Sequence, residues 1–135
     1  MSEPKSVRPS RNKRLGPLIF VVDDEPMLLE LATVVLEPLG YTLRTFRDPD
    51  SALEEFTRAN PRPALLITDY AMHTMNGMDL IRECRRLEAR QPILLVSGTV
   101  GAEVFSDSPI KPDRFLAKPY KAKELADLVA TLLQA

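Results

Sequence analysis

The sequence predicts an α/β domain: a parallel sheet with helices on its faces. Two observations carry that reading. Five short apolar runs alternate with amphipathic segments, and successive runs start about 20 to 30 residues apart, the spacing of strand–helix units. The runs are also continuous rather than alternating, as in strands buried on both faces. At 135 residues the chain fits one domain of ordinary size, and 44% hydrophobic with 27% charged residues is a normal globular balance. No run approaches the roughly 18 residues needed to span a bilayer, and no secretory leader is evident. The single cysteine, Cys84, has no internal disulfide partner. A cytoplasmic location without membrane association is therefore expected.

Charge is unevenly spread. The net charge is −1. Residues 1–16 carry Lys5, Arg8, Arg11, Lys13 and Arg14 against Glu3, a balance of +4, which leaves −5 for the rest. Pro4 and Pro9 interrupt this polar stretch, so residues 1–16 read as a disordered basic arm, a solvated tail rather than a nucleic-acid contact. The folded unit is placed at residues 17–135.

The first strand is predicted at Leu18–Val22. In "EPMLLELATVVLEPLG", Pro26 suits a first helical turn, Leu28, Leu31, Val35 and Leu39 share a face, and Gly40 follows the end. The second strand is predicted at Tyr41–Phe46. A helix follows, with Asp48 or Asp50 as N-cap and Leu53 and Phe56 on one side. The third strand is predicted at Ala64–Thr68. The next helix places Leu80, Ile81, Cys84 and Leu87 on its apolar side, which makes Cys84 a core residue. Strands at Ile93–Val96 and Phe115–Ala117 follow. A last helix holds Leu125, Leu128, Val129 and Leu132 in register. Between those two strands Gly101, Pro109 and Pro112 leave room for only one or two helical turns, around Ala102–Phe105, with Ser108 and Lys111 extended.

Open parallel sheets bind ligands beyond the carboxyl ends of their strands. Those ends deliver Asp23 and Asp24, then Asp69, then Ser97 and Gly98, then Lys118 and Pro119. The run Asp23–Asp24–Glu25 alone reads either as helix-capping acids or as a cation site. Three carboxylates, a hydroxyl and an amine converging on one rim suit phosphoryl transfer to a carboxylate. The acids hold Mg²⁺, Asp69 serves as nucleophile, Lys118 and Ser97 meet phosphoryl oxygens, and Gly98 lets backbone come close.

The segments "VVDDEP", "LLITDYAMHTMNGMDLI", "LLVSGT" and "FLAKPY" stand in one order and spacing. With them, residues 17–135 resemble the receiver domain of bacterial two-component response regulators. The resemblance implies a five-stranded, doubly wound, flavodoxin-like fold, and phosphorylation of Asp69 by a sensor histidine kinase or histidine phosphotransfer protein. It implies Mg²⁺ (or Mn²⁺) on Asp24, Asp69 and the Ala71 carbonyl, with Asp23 acting through water, and phosphoryl contacts from the Ala71 and Gly98 backbone. Ser97 and Phe115 fall at the switch pair, and the Lys118–Pro119 peptide is expected to be cis.

Three places depart from that pattern. His73 stands where proline is usual and reads as an exposed loop residue. Ala71 and Thr99 occupy positions that tune phosphoryl lifetime, and the methyl of Ala71, unable to orient water, implies slow self-hydrolysis. The segment 99–115 replaces a full helix, which alters the output face and leaves homodimerisation open.

A stand-alone regulator that docks an unknown downstream protein without direct DNA binding is the expected function. A receiver taken from a hybrid sensor kinase is the alternative. A small aspartyl-phosphate phosphohydrolase would need an acid at Ala71, and a flavin or nucleotide binder would need a Gly/Ser/Thr-rich loop at Asp23–Glu25.

Overall fold

A computed structural model describes residues 16–134, so the predicted arm lies, but for Gly16, outside the described residues. The strands are β1 (Leu18–Val22), β2 (Thr42–Phe46), β3 (Leu65–Asp69), β4 (Ile93–Ser97) and β5 (Arg114–Ala117). They form one parallel sheet in the order β2-β1-β3-β4-β5. Helices α1 (Pro26–Leu36), α2 (Pro49–Arg58), α3 (Gly77–Leu87) and α4 (Ala122–Leu133) cover its faces. This is the predicted doubly wound α/β architecture. The strand order reverses between β1 and β3, so the acids ending those two strands flank the switch point where such sheets bind ligands.

Alternation along the strands sorts the core into two layers. On one side Ile19, Val21, Ile67, Leu94 and Val96 pack with Leu29, Leu36, Leu125 and Val129 from α1 and α4. On the other, Phe20, Val22, Leu66 and Leu95 pack with Phe56, Leu80, Ile81 and Cys84 from α2 and α3. Cys84 is a buried core residue, as its helical register predicts, and burial pushes its thiol up to about 12. Asp48, not Asp50, caps α2, its Oδ1 accepting from the Ser51 N–H at 2.8 Å. Asn76 and Asp79 close a reciprocal capping box at the start of α3.

The expected apolar face of α1 is not the one that packs. Leu29, Ala32 and Leu36 are buried, whereas Leu28, Leu31 and Val35 are half-buried and Leu39 is 57% exposed. The helix is apolar nearly all round, so spacing alone offers two stripes. The stripe carrying the small Ala32 is the one that packs against the sheet. Pro38 falls in a 3₁₀ turn, Glu37–Leu39, that follows α1, and Gly40 closes it at φ 103°, a left-handed conformation suited to glycine. Strand limits also shift slightly: Asp69 and Ser97 are the last residues of β3 and β4 rather than the first beyond them.

Between β4 and β5 a single 3₁₀ turn, Ala102–Val104, stands where a helix would otherwise cross. This short, irregular connection is the one the glycine and prolines predict. Val104, Phe105 and Ile110 pack onto the α2–α3 side of the core, and the Phe105 and Phe115 ring centroids lie 6.1 Å apart. Arg85 of α3 ties the connection down. Its guanidinium donates to the carbonyls of Gln91 (2.9 Å) and Lys111 (3.1 Å) and to Asp113 Oδ2 (3.0 Å).

Candidate functional site

Every residue predicted for the rim lies at the carboxyl end of the sheet. Asp23 follows β1, Asp69 ends β3, Ser97 ends β4 and Lys118 follows β5. Their approach is direct. Lys118 Nζ lies 3.1 Å from Asp69 Oδ1, 3.1 Å from Asp23 Oδ2 and 3.4 Å from Glu25 Oε1. Carboxylate oxygens of Asp23, Asp24 and Asp69 all fall within 4.8 Å of one another. Asp23 and Asp69 are each 6% exposed, while Asp24 sits at the outer edge, half-buried. The Lys118–Pro119 peptide is cis, as the resemblance implies, and so is Asn60–Pro61, which no sequence feature announced.

Charge is unbalanced at this rim. Burial, with the nearby Asp23 charge adding to it, pushes the Asp69 carboxyl up to about 6 although Lys118 opposes the shift. Burial also raises Asp23, against the pull of the Glu25 N–H and of Lys118. Burial works against the Lys118 charge too, but Asp23 and Asp69 outweigh it and hold the ammonium above its ordinary value. One lysine is shared among several acids.

The remaining predicted residues surround this cluster. Ser97 is buried, and its Oγ accepts from the N–H groups of Thr99 (3.2 Å) and Val100 (3.1 Å), which turns the hydroxyl into its own loop. Phe115 is half-buried in contact with the β4–β5 connection. Ala71 is exposed in the loop after β3. A Cβ on Gly98 would come within 3.2 Å of Lys118 Cβ, so glycine here keeps the lysine stem in place.

Three further residues border the cluster, of which only Gly77 was not singled out by sequence. Glu25, in the run read as helix-capping acids or a cation site, is the N-cap residue of α1 and turns its carboxylate to Lys118. His73, read as an exposed loop residue, is 82% exposed, yet its Nε2 stands 3.8 Å from Asp24 Oδ2. Gly77 opens α3 beneath Asp69: a Cβ there would fall 2.5 Å from the Asp69 carbonyl oxygen, and its N–H donates to Tyr70 O at 2.7 Å. A glycine directly after an N-cap asparagine is the signal that could have found it. Leu28 and Leu31 line a groove with Gly98, Lys118, Pro119 and Tyr120 beside the acids.

Comparison with known proteins agrees with this arrangement. The response regulator receiver domain family matches residues 19–130. Over 116 residues the chain is 32% identical to the DNA-binding response regulator MtrA of Mycolicibacterium smegmatis, covering 86% of this chain and 50% of that protein. The chain thus spans about half the length of that regulator. A CheY-like receiver domain protein from Methanospirillum hungatei superposes with a TM-score of 0.80 at 22% identity, over 87% of this chain and 94% of its own, and shares the fold. The response regulator TrrA from Thermotoga maritima, solved in complex with Mg²⁺–BeF, gives a TM-score of 0.78 at 28% identity, over 87% of this chain and all of its own. With the reversal point of a doubly wound sheet carrying this acid–lysine rim, and with the match running through nearly the whole folded region, the chain belongs to the response regulator receiver domain family.

Proposed function

We propose that the chain is a phosphoacceptor in a two-component relay, with Asp69 as the acceptor. The observation that carries the reading is the placement of Lys118 Nζ 3.1 Å from both Asp69 and Asp23, inside a three-carboxylate cluster. The donor set fits a hard divalent cation: oxygen ligands from several acids, two of them buried and raised toward the protonated form by that burial. Asp24, Asp69 and the Ala71 carbonyl would hold Mg²⁺ or Mn²⁺, with Asp23 acting through water, and the ion would supply neutralising charge at the transferring phosphoryl group.

A deprotonated Asp69 oxygen attacks the phosphorus of a phosphohistidine on a sensor kinase or phosphotransfer protein. The new P–O bond forms as the P–N bond breaks, and its electron pair stays with the imidazole. Lys118 then exchanges part of its pairing with Asp69 for a phosphoryl oxygen. Ser97 leaves the Thr99 and Val100 N–H groups and donates its hydroxyl to the same phosphoryl group. That movement frees the loop after β4, and Phe115 follows, changing the surface offered to a downstream protein. No separate substrate is turned over in this reading. The exposed methyl of Ala71 holds no water in line with the acyl phosphate, so self-hydrolysis is slow, and a lifetime of seconds would count against that point.

Incubation with acetyl phosphate and Mg²⁺, followed by intact mass measurement, tests the acceptor. A gain of about 80 Da, one phosphoryl group, that needs Mg²⁺ and is lost in Asp69→Asn supports it. A mass gain that persists in Asp69→Asn moves the acceptor elsewhere.

A further inference from the structure

We propose that Thr74, held by Asp50, is a positioning residue of the acceptor rim: the pair fixes the loop after β3 that carries Ala71. The inference rests on the reading of Asp24, Asp69 and the Ala71 carbonyl as an Mg²⁺ site, and deepens it. Residues 70–76 join β3 to α3, and both ends of this loop are secured. The Tyr70 N–H donates to the Val96 carbonyl at 2.9 Å and the Gly77 N–H to the Tyr70 carbonyl at 2.7 Å, while Asn76 caps α3. Between those ends, residues 71–75 make no backbone–backbone hydrogen bond among the described residues. The bond that does hold them runs from Thr74 Oγ1 to Asp50 Oδ2, 2.8 Å away in the first turn of α2. The neighbouring His73–Asp24 contact, at 3.8 Å, is too long to be a hydrogen bond.

Both partners suit that role. Asp48 caps α2 through both of its carboxylate oxygens, so Asp50 is not needed as a cap. Helix α2 is itself anchored by the buried Pro49, Ala52 and Phe56. In its first turn the helix dipole favours a charged carboxylate, so Asp50 offers Thr74 a charge-assisted bond from a secured element. Met72 and Met75, to either side of Thr74, are half-buried against the same α2–α3 core layer. Such apolar contacts seat the loop, but they are non-directional and leave its orientation open. Thr74 supplies the directional tie. Its loss leaves a smaller share of molecules with the Ala71 carbonyl in place for a cation, and apparent affinity falls with that share.

The full chain is compared with Thr74→Val, Thr74→Ser, Asp50→Ala and the Thr74→Val, Asp50→Ala double variant. Calorimetry gives Mg²⁺ affinity, and ¹⁵N relaxation of the metal-free proteins reports on the amides of residues 71–75. We expect Mg²⁺ affinity to fall about three- to fivefold in Thr74→Val. Thr74→Ser keeps the hydroxyl and should stay within about twofold of wild type. The double variant should lose little more than Thr74→Val, because the two side chains form one interaction. Order parameters at residues 71–75 should drop in Thr74→Val while those of α2 and α3 hold, a pattern that a general loss of stability would not produce. Unchanged Mg²⁺ affinity or unchanged order parameters in Thr74→Val overturn the inference and leave the cation site standing. An equal loss in Thr74→Ser, or additive losses in the double variant, does the same. Failure of the wild type to bind Mg²⁺ overturns the reading of the site and this inference with it.

Discussion

The connections on either side of β4 differ in kind. The one before it, from β3 through α3, is regular: a capping box starts the helix, and Gly77 presses its first turn against the Asp69 backbone. The one after it, residues 98–113, has one 3₁₀ turn and is held from outside by Arg85, which reaches Lys111 and Asp113. The first connection fixes where the proposed acceptor carboxylate stands. The second borders Ser97 and Phe115, the residues proposed to carry the response. The proposed acceptor thus sits on the regular part of the molecule, and the proposed response passes into a part with little secondary structure of its own.

The largest expected effect lies at the rim itself, beside the carboxylate that the first connection positions. Lys118→Met removes the charge that pairs with Asp69 and Asp23, and we expect the initial rate of acetyl phosphate modification to fall by about 100-fold. Phe105→Ala, on the irregular side, should leave that rate within about twofold, since it touches no reacting group. A comparable loss in both variants would break the distinction. Gly77→Ala comes next. Its Cβ meets backbone at 2.5 Å, not a flexible side-chain end, so we expect a loss of about 3 kcal/mol in urea unfolding. A neutral substitution would mean that α3 can slide away from β3.

Asp69 gives a pH test of the same rim. Its carboxyl is raised from 3.8 to about 6 in the fold, so the folded state holds its proton more tightly than the unfolded state does. That stabilisation is present below about pH 4 and is lost as pH rises through about 6. Without Mg²⁺, wild type should lose on the order of 2 kcal/mol relative to Asp69→Asn across that window. Mg²⁺ at neutral pH should restore much of the difference. A pH-independent difference in thermal unfolding would show that Asp69 is not strained by its surroundings.

The rim was legible because each of its residues is specified locally. An apolar run sets a strand, and the next polar residue is delivered to its carboxyl end, so Asp23, Asp69, Ser97 and Lys118 could be placed one at a time. The absent helix between β4 and β5 was legible for a similar reason, through Gly101, Pro109 and Pro112. Choices made by tertiary contact were not. Nothing within α1 distinguishes the stripe of Leu29, Ala32 and Leu36 from that of Leu28, Leu31 and Val35, because both are apolar. The approach of His73 to Asp24 and the reach of Arg85 to Lys111 and Asp113 join residues far apart in the chain. No local pattern encodes them.

Arg85 gives the smallest predicted effect and the sharpest test of the irregular side. Its guanidinium is largely buried, with 16% of the side chain exposed, and makes three charge-assisted bonds, while its partner Asp113 is itself half open to solvent. Water replaces much of what is lost, so Arg85→Ala should cost only about 1 kcal/mol of global stability. The local consequence should be larger than the global one. Asp113 Oδ2 also accepts from the Ile93 N–H at 2.8 Å, so releasing Asp113 loosens the start of β4 together with the 98–113 segment. Hydrogen exchange should therefore quicken at Ile93 and Asp113 while Tyr70 and Gly77, beside Asp69, keep their protection. Mg²⁺ affinity and the rate of modification should be unchanged. Faster exchange at Tyr70 would mean that the two connections open together and that the proposed acceptor carboxylate is not insulated from the segment proposed to report on it.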